Sequence, residues 1–258
     1  MPLNLPTRHN PKLEALVAAI DADVELAQWW KCANVNAVDR QSMTDHGEVH
    51  IRIVANAALK LLRLLVEGGV RTSVEENYGM ATEDAEVIVV AAATLHDVGI
   101  AVHRAAHEQL SVPLAAVMLP RLLKGIYPPA ERVIVQAETL HAMIAHHWDT
   151  KCLTIEAGVV KVADALDMTH GRSRIPYEEM GDTSIYTISS AAIDRVRLLR
   201  GEEKPIRIAI EMSNSAGVFQ VDELLKRKLR NSSIASYVEV IAQISGETEK
   251  RLLKFYTL

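Results

Sequence analysis

AEVIVVAAATLHD, residues 85–97, is the stretch from which the rest of the chain is read. It is apolar nearly all round, so a helix here belongs in the middle of a helical core. Thr82 stands where an N-cap is expected, and Glu83, Asp84 and Glu86 suit the positive end of the helix dipole. The run ends on His96 and Asp97, followed by Gly99. An imidazole and a carboxylate are costly in an apolar setting unless a cation or a hydrogen-bond partner satisfies them.

Working outward, the 3.6-residue period continues on both sides. Pro11 opens a helix whose stripe is Leu13, Leu16, Val17 and Ile20. A second is expected over 24–38, and a third from about Asp45 to the stop at Gly68-Gly69. Further helices are expected near 105–123, 129–147 and 155–168, with loops at 69–81, 127–129 and 147–154. After about residue 180 the period shortens to two. SIYTI (184–188), PIRIAIEM (205–212), SYVEVIAQI (236–244) and RLLKFYTL (251–258) read as strands, and Asp222–Arg230 as one basic helix. The fold class expected is mainly α: a helical bundle over 1–180, then a small C-terminal α+β unit with antiparallel strands over 181–258.

Composition narrows the function classes. Hydrophobic residues make up 49% and charged residues 24%, which supplies a full core and excludes a disordered or collagen-like chain. The net charge of −5 gives no bulk electrostatic case for nucleic acid. Cys32 and Cys152 are two lone thiols, suited to a reducing compartment and not to a thiolate metal site. The longest apolar stretch, Val87–Leu95, is too short to span a bilayer, and the first residues lack the order of a signal peptide. A cytoplasmic protein without a membrane partner is expected.

The histidines carry the chemistry. Nine of the ten lie between residues 46 and 170. His46 and His50 are four apart on one expected helix face, as are His103 and His107. His146-His147 ends another helix, and Asp164 sits within the apolar run VVKVADALDM. Imidazoles and carboxylates without thiolate are ligands for Mn, Mg, Co, Ni, Fe or Zn, and a helical bundle builds one- or two-ion sites from such groups. Adjacent helical side chains diverge by about 100°, so His146 and His147 do not readily share a site. Arg172 and Arg174, just past the Asp164 helix, are candidate phosphate-binding groups. Asp167, one turn beyond Asp164, is a candidate general acid–base or a partner to a ligand. The basic run Lys226, Arg227, Lys228, Arg230 reads as a solvated helix face.

Taken in order, HIRIVANAALKL (50–61), AAATLHDVGIA (91–101), HEQLS (107–111), HAMIAHH (141–147) and VVKVADALD (159–167) resemble the HD-domain superfamily of metal-dependent phosphohydrolases. The resemblance implies an HD-type domain over 1–180, with His50, His96, Asp97 and Asp164 as core metal ligands. It adds His107 and His146 for a second ion or the phosphate, with His46 and His147 as further candidates. Asp97, His107 and Asp167 are the residues expected at the reaction, and Arg172, Arg174 and His146 those at the substrate. A divalent cofactor of one or two ions, manganese among them, and a nucleotide or other phosphoester attacked by metal-activated water are implied. Two alternatives stand: a nucleotide-sensing or regulatory protein with little turnover, and an HD-like di-iron oxygenase. The cyclic-dinucleotide branch is not expected, because HHWDTKC (146–152) replaces its GYP signature. Ile100 stands where many relatives have a phosphate-contacting Lys. The resemblance does not reach the C-terminal unit, whose strand edges are a candidate route to a homodimer.

Overall fold

A computed structural model describes residues 2–169 and 185–245. Helices α1 (Pro11–Ala22) and α2 (Val24–Asn34) lead into a π turn (Val35–Asp39), followed by α3 (Glu48–Glu67), α4 (Ser73–Tyr78) and α5 (Thr82–Leu95). A 3-10 turn (Val98–Ala101) precedes α6 (His107–Leu122), α7 (Pro129–Ile144) and α8 (Ile155–Ala165). The remainder is α9 (Ile185–Ala191), β1 (Ile193–Arg200), β2 (Ile206–Met212), a π turn (Gln220–Leu225), α10 (Lys226–Arg230) and β3 (Val238–Ile244).

The protein is mainly α, and α5 is its axis. Every residue from Asp84 to Leu95 is buried, and α1, α3, α4, α6, α7 and α8 pack against this helix. Each large aliphatic side chain buried there contributes about 1.5–3 kcal/mol against leaving it in water. Local chemistry sets the helix starts. Asn10 caps α1 by accepting the Leu13 N–H at 3.0 Å, and its amide donates to the Glu83 carbonyl at 2.8 Å, tying α1 to α5. Asp23 caps α2, and Thr154 caps α8. Thr82 is the first helical residue of α5 and not its cap. Ala81 takes the cap position, and the Asp84 carboxylate accepts its N–H at 2.9 Å, so no hydroxyl is needed. The expected loop 69–81 contains α4, closed by a Thr72–Glu75 capping box.

The C-terminal unit departs from expectation in three ways. Ile185–Ile188 of SIYTI begin α9 and form no strand. Tyr186 and Ile188 are spaced as on one face of a strand, but Ile185 and Ile188 are spaced as on one face of a helix, and the following Ser189, Ser190 and Ala191 continue the turn. The strand is IDRVRLLR instead, whose alternation is broken by a register shift between Ile193 and Arg195. The sheet is mixed: β1–β2 is antiparallel, but β2–β3 is parallel, in the order β1-β2-β3. The physical reason is the helical segment between β2 and β3, since parallel neighbours need a long crossover. RLLKFYTL lies outside the described residues. Ile206, Ile208, Ile210 and Met212 point inward from β2 and join the same apolar cluster as the helices.

One buried acid in this frame makes stability depend on pH. Glu156, on the first turn of α8, is fully buried; Oε1 accepts the Val74 N–H at 3.0 Å, while Oε2 meets no hydrogen-bond partner among the described residues. Burial raises its pKa above the ordinary 4.5. A raised acid favours the folded state while protonated, and that contribution is lost as pH rises through the folded value. The Tm of E156Q relative to wild type should therefore shift in the variant's favour between about pH 4.5 and neutrality. Thermal melts followed by circular dichroism across that range measure it, and a pH-independent difference contradicts it.

Candidate metal centre

Asp97 stands at the exit of α5, where the chain turns sharply into the 3-10 turn. Gly99 makes that turn fit, because a methyl group on it would collide with the His107 carbonyl and the Ser111 backbone of α6. The Gly99 N–H donates to Ser111 Oγ at 2.9 Å, and the Asn36 amide donates to the carbonyls of Ile100 and Ala101 at 2.8 and 2.9 Å. The turn is thus held from both sides. The start of α3 is set similarly: Asp45 Oδ1 accepts the His50 N–H at 3.0 Å, and Asn34 Oδ1 accepts the His46 N–H at 3.0 Å.

The two oxygens of Asp97 face two groups of donors. Oδ2 lies 3.4 Å from His50 Nε2 and 3.3 Å from His96 Nε2, and these two nitrogens are 3.3 Å apart. Asp164 Oδ1 completes that group, 3.4 Å from His50 Nε2 and 3.8 Å from His96 Nε2. Oδ1 of Asp97 lies 3.1 Å from His107 Nε2 and 3.8 Å from His146 Nε2, with 3.3 Å between the two nitrogens. Neighbouring ligand atoms bound at about 2.0–2.2 Å to a single ion lie about 3–3.5 Å from one another. Both groups approach that spacing, and Asp97 links them.

The outer ring nitrogens explain why the inner ones are available. His50 Nδ1–H donates to Asp167 Oδ2 at 2.6 Å, and His96 Nδ1–H donates to the Ala93 carbonyl at 2.9 Å. His146 Nδ1–H donates to the Met143 carbonyl, and His107 Nδ1 has the Arg104 carbonyl at 3.1 Å and Glu108 Oε2 at 3.2 Å. In the neutral rings of His50, His96 and His146 this leaves the Nε2 lone pairs turned toward carboxylate oxygens. Lone pairs and anions repel at such distances unless positive charge lies between them. The donor set and its orientation therefore fit a divalent cation.

In the cation-free chain, protons on the rings take the place of that positive charge. Burial opposes ionisation of Asp97, yet His96 and the hydrogen bonds from His107, His46 and His50 hold it well below the usual carboxylate range. Asp164 is likewise held low, by Lys228 first and then by His50 and His96, against its burial. His96 is raised to about 9, because Asp97 and Asp164 outweigh its burial. His146 goes the other way, pushed down by burial and by the charges of His96 and Lys228. Two imidazoles of one cluster thus differ in which form the protein favours.

The structure brings together His46, His50, His96, Asp97, His107, His146 and Asp164 in overlapping groups able to hold a metal ion. His46 is buried, with Nδ1 2.8 Å from Asp97 Oδ2. Asp167 sits behind His50, whose Nδ1–H its Oδ2 accepts, and it belongs to none of these groups among the described residues. His147 is not brought to it. Its ring turns to Trp148, with centroids 5.4 Å apart, because the neighbouring position on the turn has taken the inward direction. Arg172 and Arg174 lie outside the described residues. Ile100 is fully buried beside Ala33 and Ala37 and does not substitute for a Lys. Glu108, Arg104 and Lys228 were not foreseen. Glu108 had a signal in its place beside His107, and Arg104 Nη1 lies 2.6 Å from His107 Nδ1. Lys228 reaches Asp164 Oδ2 from α10, a contact across 64 positions that no local pattern announces.

Comparison with known proteins agrees with this arrangement. Residues 47–169 match the family described as HD domain. The chain is 42% identical over 218 residues to an uncharacterized protein of Methanocaldococcus jannaschii, covering 84% of this chain and 83% of that one. No solved structure matches.

Isothermal titration with Mn²⁺, backed by elemental analysis, should find stoichiometric binding by the wild-type protein. D97A should lose it and H147A should keep it. D167A, which frees His50 to rotate, should weaken affinity by about 10–100-fold. Unchanged binding by D97A would contradict the ligand geometry.

Proposed function

The chain belongs to the HD-domain superfamily, and from that premise we propose that it is a metal-dependent phosphohydrolase acting on a nucleotide or another phosphoester. The observation that carries this reading is Asp97, whose separate oxygens serve two adjacent groups of imidazoles. His50, His96, Asp97 Oδ2 and Asp164 Oδ1 would hold one divalent ion, and Asp97 Oδ1, His107 and His146 a second. Bound there, such ions lower the pKa of a water and draw charge from a phosphoryl oxygen.

The chain's own residues do the rest. Asp167 and the carbonyls of Ala93 and Met143 fix the tautomer and direction of His50, His96 and His146. His46 steadies Asp97 from the α3 side. The aliphatic wall of α5 keeps bulk water from the buried groups, which strengthens each electrostatic contact within. Asp97 and His107 lie at the centre of the reaction in this reading, and Asp167 positions His50.

The burial of Ile100 favours one second reading. With no Lys entering from that position, a nucleotide-sensing protein with little turnover keeps the same site for binding. A di-iron oxygenase differs in its metal and its use of oxygen.

The test is phosphate release from a panel of nucleoside mono-, di- and triphosphates and model diesters with Mn²⁺, Co²⁺, Mg²⁺ and Ni²⁺. Metal-stimulated release is expected, falling at least about a hundredfold in D97A. Activity that survives D97A unchanged overturns the assignment. Tight nucleotide binding without turnover supports the sensor, and iron in the isolated protein with oxygen uptake supports the oxygenase.

A further inference from the structure

We infer that Lys228, carried to the site by the C-terminal unit, binds the anionic group of the substrate beside Asp164. The identity of that anion as a phosphoryl group rests on the hydrolase reading; the placement of the cation does not.

The opening of the cluster lies on the Asp164 side. The side chains of His50 and His96 are 0% exposed and that of Asp97 4%, whereas Asp164 is 13% and Lys228 17% exposed. Lys228 Nζ contacts Asp164 Oδ2, the oxygen opposite the one that faces His50 and His96. An ammonium has three donors, and Asp164 is the hydrogen-bond partner of Lys228 among the described residues. Donor capacity is left at the most open edge of the site.

Two other basic residues of the run are engaged elsewhere. Lys226 pairs with Asp222 one turn back, and the Arg227 guanidinium lies over the Trp148 ring at 4.3 Å from its centroid. Only Lys228 is turned to the cluster among these three.

Lys228 is not needed to fasten the C-terminal unit. The Asn231 amide donates to the Trp148 carbonyl at 2.9 Å, and the Cys152 N–H donates to the Asn231 carbonyl at 3.1 Å. Ser233 Oγ donates to the Thr154 carbonyl at 2.5 Å and packs on Gly158, where a methyl group would collide with it. These contacts already strap residues 227–233 across the segment that follows His146. A carboxylate shared between a divalent ion and an ammonium leaves the neighbourhood positive, and an anion balances it. Lys228 would supply from another part of the chain the positive charge that Ile100 cannot.

The experiment uses the full chain loaded with Mn²⁺ and inorganic phosphate as the probe, in wild type, K228M, K228Q and K228R. Titration calorimetry should show phosphate affinity down about 10–100-fold in K228M and K228Q, and largely restored in K228R. Mn²⁺ stoichiometry should be unchanged in all four. With a turned-over substrate, KM should rise by a similar factor while kcat stays within a few-fold. Unchanged phosphate affinity in K228M or K228Q overturns the inference. So does a wild type that holds Mn²⁺ but no phosphate, or variants whose phosphate loss merely follows loss of Mn²⁺. A phosphate site that depends on Lys228 in a protein without hydrolytic activity sinks the hydrolase reading and leaves the inference standing.

Discussion

A buried carboxylate ringed by imidazole nitrogens is the constraint to which the structure answers. Asp97 is nearly inaccessible, and four rings turn Nε2 toward it or toward Asp164. Assembling such a group in an apolar bundle costs several kcal/mol per uncompensated charge. The protein offsets this with carbonyls and a carboxylate behind the rings of His50, His96 and His146, which favour the proton on the outer nitrogen of each. What remains is a cluster of imidazole nitrogens and carboxylate oxygens that requires positive charge, a proton or a cation, between its members.

Each helix contributes what its position allows. α5 is apolar along its length and can be central because its polar groups are confined to the two ends. α3 presents His50 from its first turn, α6 begins on His107, α7 ends just before His146, and α8 offers Asp164 near its last turn. Helix ends and turns tolerate such groups better than helix middles, because backbone donors and acceptors are free there to orient them. The small mixed sheet is part of the same core, and its α10 places a lysine over the edge of the cluster.

Much of this was legible in the chain. The helix bounds followed from periodicity and from local signals such as Pro11 at the start of α1 and Gly68-Gly69 after α3, while the cap expected at Thr82 falls on Ala81. The expectation failed where local signals are degenerate. Residues 185–188 offer both a strand-like pair, Tyr186 and Ile188, and a helical pair, Ile185 and Ile188, and the shift between Ile193 and Arg195 hides the strand that exists. The parallel β2–β3 pair could have been read from the helix between two strands, a connection that favours parallel neighbours.

By itself the sequence determined that imidazoles and carboxylates would emerge from apolar helices in a given order. Periodicity and composition are properties of neighbouring residues, and they suffice for that. Only the tertiary structure decided that Asp97 divides its oxygens between two groups, that Asp167 stands behind His50, that His147 turns to Trp148 and that Lys228 meets Asp164. These depend on rotation about helix axes and on contacts between distant segments. Such quantities are set by how the whole core packs, and no short stretch of chain encodes them.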